Sequence, residues 1–279
     1  MGIYEDLAFG AAFAAYTAAI LLNVWDLAAK REALSRFAHY ITAMGWLLNT
    51  LALIFRSVTA GRLPLANGYE FLVAFAWGIV LCYLWMQYKY RLKAAGLFVL
   101  PVVWVLLAYV AVEMPADQKL ITPLMPALKS NWLSVHVATA ILSYGALAVS
   151  FALAVMYLIK ERYTKNQSTT SVLFQKLPGI EVLDESCYRF ITVGFFLLSM
   201  VIISGAIWAE QAWGAYWSWD PKETWSLITW LIYGACLHVR QTYGWRGRRS
   251  SVIAVIGFAA VLFTFFGVNY WLVGLHSYA

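Results

Sequence analysis

Charge is the scarcest property of this chain. Only 12% of its 279 residues are Asp, Glu, Lys or Arg, against 62% hydrophobic, and the mean hydropathy is +0.69. Soluble domains carry about 25% charged residues, so a water-soluble globular fold is excluded. Cysteine is nearly absent too. Cys82, Cys187 and Cys236 are dispersed and form no Cys-x-x-Cys pair, which argues against a thiol–disulfide carrier, a zinc site or a covalently attached c-type heme on this chain. The first residues, MGIYEDLAFG, lack the basic cluster of a signal peptide, so the first apolar run is expected to be retained. There is no internal repeat, no low-complexity tract and no recognisable nucleophile or acid–base dyad, so no catalytic residue is assigned.

What the chain has instead is long apolar runs broken by short basic clusters, the pattern of an all-α, polytopic membrane protein. About eight spans are read, at roughly 7–27, 37–56, 69–88, 95–112, 131–159, 190–209, 221–239 and 251–273. Fifteen of the 20 basic residues fall in alternate connections: Lys30, Arg31, Arg36; Lys89, Arg91, Lys93; Lys160, Arg162, Lys165, Lys176, Arg189; and Arg240, Arg246, Arg248, Arg249. The other side keeps Arg56, Arg62, Lys119, Lys129 and Lys222. By the positive-inside rule both termini lie on the non-cytoplasmic side. Residues 1–279 read as a single domain, because the longest connections, about 113–130 outside and 160–188 inside, are too short for another. The inner one ends in LPGIEVLDESCYRF, where a short amphipathic helix on the membrane surface is expected.

Residues 208–230, WAEQAWGAYWSWDPKETWSLITW, hold six of the 14 tryptophans. Asp220 is a good N-cap, Pro221 suits the first helical position, and Glu223 sits where a capping box closes. Residues 214–219 therefore read as an outer turn feeding a new helix. An aromatic belt accounts for one or two tryptophans per helix end. It does not account for Trp217 and Trp219 flanking one serine beside a capped helix, an arrangement that suits a large planar ligand.

The four histidines sort by depth. His39 opens the second span on the inner side, and His238, 18 residues beyond Asp220, lies about 27 Å down its helix near the inner boundary. His136 is in the first turns of the fifth span and His276 follows the last one, both outside. A lone histidine on an apolar helix is usually a structural residue. Two pairs at matched depths point instead to axial ligation of heme, and all four are candidate iron ligands. Two heme propionates need cations; Arg56, Arg62 and Lys222 are available outside, and Arg56, at the very end of its span, is taken as the candidate, with snorkelling as its structural alternative. LPLANGYEFLVAFAW reads as a re-entry corner with a ligand-facing side.

WGAYWSWDPKETWSLITWLIYGACLHVR resembles the tryptophan-rich WWD signature of heme-handling proteins, and its DPKETW continuation resembles the CcsA-type (ResC-like) branch of System II cytochrome c biogenesis. FAHYITAMGW, LPLANGYEFLVAFAW, NWLSVHVATAILSYG and GVNYWLVGLHSYA extend the resemblance over most of the chain. It implies export of heme b as transported ligand and substrate, and its presentation for covalent attachment to the Cys-x-x-Cys-His motif of an apocytochrome c. The chain would act as part of a cytochrome c heme lyase with a CcsB/Ccs1/ResB-type membrane partner. It further implies that His136 and His276 ligate an outer heme over Trp213, Trp217, Trp219 and Asp220, and that His39 and His238 hold an inner one. The membrane would be a bacterial cytoplasmic membrane or a thylakoid. The alternatives are a b-type-cytochrome-like electron-transfer subunit, a CcmC-like exporter to a chaperone, and a small-solute transporter without heme.

Overall fold

The structure, a computed structural model, describes residues 2–29, 32–167, 170–272 and 274–275. Among them there is no strand, and the chain is a bundle of long helices. They are α1 (Ile3–Ala29), α2 (Glu32–Ala60), α3 (Gly68–Tyr90), α4 (Gly96–Ala108), α5 (Asn131–Lys165), a short α6 (Val172–Lys176), α7 (Ile180–Trp213), α8 (Pro221–Tyr243), α9 (Arg248–Leu262) and a terminal turn α10 (Val268–Trp271). Two five-residue π-helical turns extend α4 through Tyr109–Glu113 and join α9 to α10 through Phe263–Gly267.

Among the described residues seven stretches are long and apolar enough to cross a membrane: those of α1, α2, α3, α5 and α7, and the extended α4 and α9. The eighth, α8, has 23 residues, about 34 Å of helix, but carries Lys222, Glu223, His238 and Arg240. It packs on α7 and α9, and of these four polar residues only Arg240 is buried, where Asp184 of α7 pairs with it. The expected inner amphipathic helix is not where the sequence placed it. The LPGIEVLDESCYRF stretch is the first part of α7 itself from Ile180 onward, and the short helix precedes it at Val172–Lys176. The reason is visible in the contacts. Asp184 is bound by Arg240 through two 2.8 Å hydrogen bonds and by the Gly247 amide at 2.8 Å, so polar residues that look surface-bound are anchored to α8 and α9.

The core is the row α3–α5–α7. α3 is apolar around its whole circumference, as a helix enclosed by neighbours must be, and crosses α5 where two glycines meet: a Cβ on Gly145 would lie 2.8 Å from the Gly78 carbonyl oxygen. Small residues that let backbones touch are the usual substitute for a hydrophobic driving force inside a bilayer. α1 and α2 form a hairpin that closes on Gly45, where a Cβ would lie 2.8 Å from the buried Tyr16 ring and 3.2 Å from Ala15 of α1.

Candidate functional site

His136 is the sixth residue of α5, and its ring is held on three sides. Nδ1 lies 2.9 Å from the Val201 carbonyl oxygen. That oxygen can only accept, so Nδ1 carries the proton and the neutral ring has its lone pair on Nε2, the arrangement of a histidine prepared to bind metal. The ring stacks on Trp208 at 5.9 Å and 25°. The third side is Gly205, where a Cβ would come 2.8 Å from the imidazole; only glycine leaves room for the ring. Trp208 is fixed in turn by its Nε1–H, which donates to the Ala127 carbonyl at 2.9 Å.

His136 and Trp208 wall a cavity of about 370 Å³ at the end of the bundle that carries the α2–α3 and α4–α5 connections. Its rim is the corner between α2 and α3 (Leu65 to Gly68) and the α4–α5 loop (Asp117, Gln118, Leu120, Thr122). The interior is largely apolar, with Phe71, Leu133, Phe265 and Phe266, and a few polar groups converge on it: Tyr109, Tyr144, Lys222, Thr264 and Asn269. Among the described residues Asn269 Oδ1 is buried without a hydrogen-bond partner, an acceptor in the wall of an apolar cavity that a bound ligand or water could satisfy. Both π-helical turns contribute lining residues, and Tyr109 of one meets Tyr270, just past the other, hydroxyl to hydroxyl. π turns recur at functional sites because the extra residue re-aims side chains.

The tryptophan stretch divides. α7 ends at Gly214, with φ +77°, and residues 214–219 run outside regular structure. Asp220 then caps α8 in a complete capping box with Glu223, as the sequence indicated. Trp213 packs edge-on against Trp208 at 4.9 Å, and Trp217 and Trp219 meet edge-to-face at 5.6 Å and 89°. These three do not line the cavity; they stand on the stretch of chain that joins two residues that do, Trp208 and Lys222. Trp219 is 69% exposed and sits at φ +59°, a conformation costing a non-glycine residue about 1–3 kcal/mol. The carboxylate of Glu223 holds it there by accepting from the amides on both sides, Ser218 at 2.8 Å and Asp220 at 3.1 Å. Trp230 faces the bundle, donating to Ser199 and stacking on Phe195.

Arg56 is behind the cavity wall rather than on it. It is 1% exposed. Nε donates to Glu70 at 3.0 Å, Nη1 to the Lys119 carbonyl at 2.8 Å and to Glu5 at 3.5 Å, and Nη2 to the Leu120 carbonyl at 3.2 Å. Arg62 completes the cluster on Glu70 at 2.7 Å. The cation that does line the cavity is Lys222. His39 is half-buried on α2 and His238 exposed on α8, and neither ring has a hydrogen-bond partner among the described residues. α2 packs on α1 and α3, and α8 on α7 and α9; His39 stands in the first third of α2 and His238 in the last third of α8. His276 lies outside the described residues. Tyr109, Thr264 and Asn269 stand out by no spacing or motif of their own in the sequence. An asparagine within an apolar span was the available signal, since an unsatisfied amide there is costly.

Comparison with known proteins follows the same outline. Residues 65–276 match the profile of the family described as cytochrome C assembly protein. The cytochrome c biogenesis protein CcsA of Guillardia theta is 40% identical over 85% of this chain and 83% of its own length. Those of Prochlorococcus marinus (strain AS9601) and Porphyra purpurea are 37% and 36% identical, over 99% and 96% of this chain and 95% of each relative. Among solved structures, the cytochrome c heme lyase CcmF superposes with a TM-score of 0.73 at 18% identity, over 95% of this chain and 46% of that one. At that identity the likeness establishes a shared fold, and the chain spans about half of that lyase.

Proposed function

This chain belongs to the cytochrome C assembly protein family and serves in cytochrome c biogenesis as an integral membrane protein; on that footing we propose that it carries heme b to the outer face and presents it for attachment to an apocytochrome c. The observation that carries this reading is His136: a ring with its lone pair on Nε2, wedged between a glycine and a tryptophan at the wall of a largely apolar cavity. The donors fit an iron porphyrin. Imidazole would suit the iron, the apolar wall the macrocycle, and Lys222 with the Asn269 amide group would offer polar contacts for its carboxylates.

Bound heme supplies the vinyl groups, and the apocytochrome's Cys-x-x-Cys-His motif supplies the thiols. The protein's own residues bind, orient and exclude water. His136, with His276 as the second ligand, fixes the position of the iron; Trp208 and the phenylalanines exclude solvent; Trp213, Trp217 and Trp219 offer an aromatic surface on the stretch that joins Trp208 to Lys222. Orientation alone is worth several powers of ten in rate. His39 and His238 are assigned as ligands of an inner site through which heme passes first. Arg56 supports the site indirectly through the α4–α5 loop. The whole chain acts as one heme-handling domain, with both termini on the non-cytoplasmic side. The partner is a CcsB/Ccs1/ResB-type protein of System II, in a bacterial cytoplasmic or thylakoid membrane.

The test is an absorption spectrum of the protein purified in mild detergent without added heme, compared with His136→Ala. The wild type is expected to show a Soret band that the variant loses in large part and recovers with millimolar imidazole. A colourless wild-type protein from a heme-replete cell refutes the reading.

A further inference from the structure

Both lips of the cavity are fastened to one buried ion pair. Glu70, the third residue of α3, is fully buried. Its Oε2 accepts from the Ala66 amide at 2.8 Å and from Arg62 at 2.7 Å, and its Oε1 from Arg56 Nε at 3.0 Å and from Arg62 at 3.1 Å. The carboxylate therefore fixes the α2–α3 corner, where Ala66 and Asn67 line the cavity. Arg56 turns its other nitrogens to the opposite lip, donating to the consecutive carbonyls of Lys119 and Leu120. Asn67 crosses between the two: its Oδ1 caps α3 by accepting from the Glu70 amide at 2.9 Å, and its Nδ2 donates to the Leu120 carbonyl at 3.4 Å.

The loop that Arg56 holds has little to hold itself. Among the described residues its regular structure is two three-residue 3₁₀ turns, Asp117–Lys119 and Pro126–Leu128. The second is tied to Trp208 through the Ala127 carbonyl; the first hangs on Arg56 and Asn67. Stability alone does not call for such a cluster, because apolar residues of similar volume stabilise as well as a buried ion pair or better. Its distinguishing property is geometric, since a planar guanidinium can fix a carboxylate and two carbonyls in one plane.

We propose that Glu70 and Arg56 are positioning residues that set the opening of the cavity: the carboxylate holds the corner, the guanidinium holds the loop, and the bond between them fixes one lip against the other. The inference rests on the proposed reading of the cavity as a heme site, and it gives Arg56 an indirect role in place of contact with a heme carboxylate. Lips held in register slow the escape of a bound ligand, so the pair governs the rate of heme loss and leaves ligation by His136 unchanged.

Two variants loosen the pair without emptying the space. Glu70→Gln keeps the shape, but one of its two positions becomes an NH₂ facing donors. Arg56→Lys keeps the charge and loses the fork, and it carries the test if Glu70→Gln does not fold. Asp184→Asn is the control: it weakens a buried ion pair about 36 Å of helix from Trp208. The measurements are the rate of heme transfer from the purified protein to excess apomyoglobin, the Soret band, and amide exchange in residues 63–68 and 117–122. Both variants are expected to release heme at least about fivefold faster, with the Soret position of wild type. Each is also expected to speed exchange in both segments, so that Glu70→Gln, whose backbone bond is to the corner alone, loosens the loop as well. Asp184→Asn should lower the melting temperature and do neither. Release at the wild-type rate, or no faster than from Asp184→Asn, overturns the proposal, as does exchange that changes in one segment only. A wild-type protein that binds no heme removes the site reading instead; exchange that then accelerates in both segments still supports the coupling of the lips, and unchanged exchange overturns it.

Discussion

Replacing Arg56 by alanine is the sharpest test of how the cavity rim is held. The guanidinium is 1% exposed, Glu5 1% and Glu70 0%, and its hydrogen bonds run to two carboxylates and to two consecutive loop carbonyls. Removing one partner of a buried ion pair costs about 3–5 kcal/mol, because the remaining charge stays buried. Here Arg62 still neutralises Glu70 through contacts of 2.7 and 3.1 Å, which favours the lower end, while Glu5 and the carbonyls of Lys119 and Leu120 are left without this donor. A loss of about 3 kcal/mol is a factor of more than 100 in a folding equilibrium, and for a chain of this size corresponds to a melting shift on the order of 10 °C. The protein carries its own reporter. Cys187 and Cys236 are buried and Cys82 is half-buried, so a thiol-reactive dye that fluoresces on coupling follows unfolding in detergent. Arg56→Lys keeps the charge but loses the planar fork and is expected between wild type and alanine. Amide exchange should accelerate first in residues 117–122. An Arg56→Ala protein that melts within about 2 °C of wild type, with that loop still protected, would show the cluster to be energetically idle.

Three further outcomes are expected. Gly205→Val places a branched side chain where a Cβ already meets the His136 ring at 2.8 Å, so heme content should fall severalfold and stability by about 1–3 kcal/mol; unchanged heme content would mean the ring does not need that slot. Reporters fused at Ala279 should be exported and those placed within residues 163–170 retained inside, following the split of basic residues; a cytoplasmic C-terminus would undo the pairing of histidines by depth. His39→Ala or His238→Ala should leave an outer site that binds added heme but arrives nearly empty from the cell. Inner variants purified with a full outer site would show that heme does not pass those two residues.

Much of the fold was legible because the bilayer imposes it. Apolar runs of about 20 residues bounded by basic clusters mark helix positions whatever the packing, and the cap at Asp220 could be read from spacing alone. The limits of α7 could not. Glu181, Asp184 and Glu185 look like surface residues in sequence, and only the tertiary pairing of Asp184 with Arg240 and the Gly247 amide shows why that helix begins ten residues before its apolar run. The length of the polar stretch was visible; its partner, 56 residues away, was not.

The site divides along the same line. His136 was legible because histidine is rare in an apolar helix, whereas Gly205, which makes its ring position possible, is one of 18 glycines. Arg56 was legible as an unusual charge but not by its target, since two of its acceptors are main-chain carbonyls that leave no trace in the side-chain sequence. The Leu275 amide on Asp220 is hidden for the same reason.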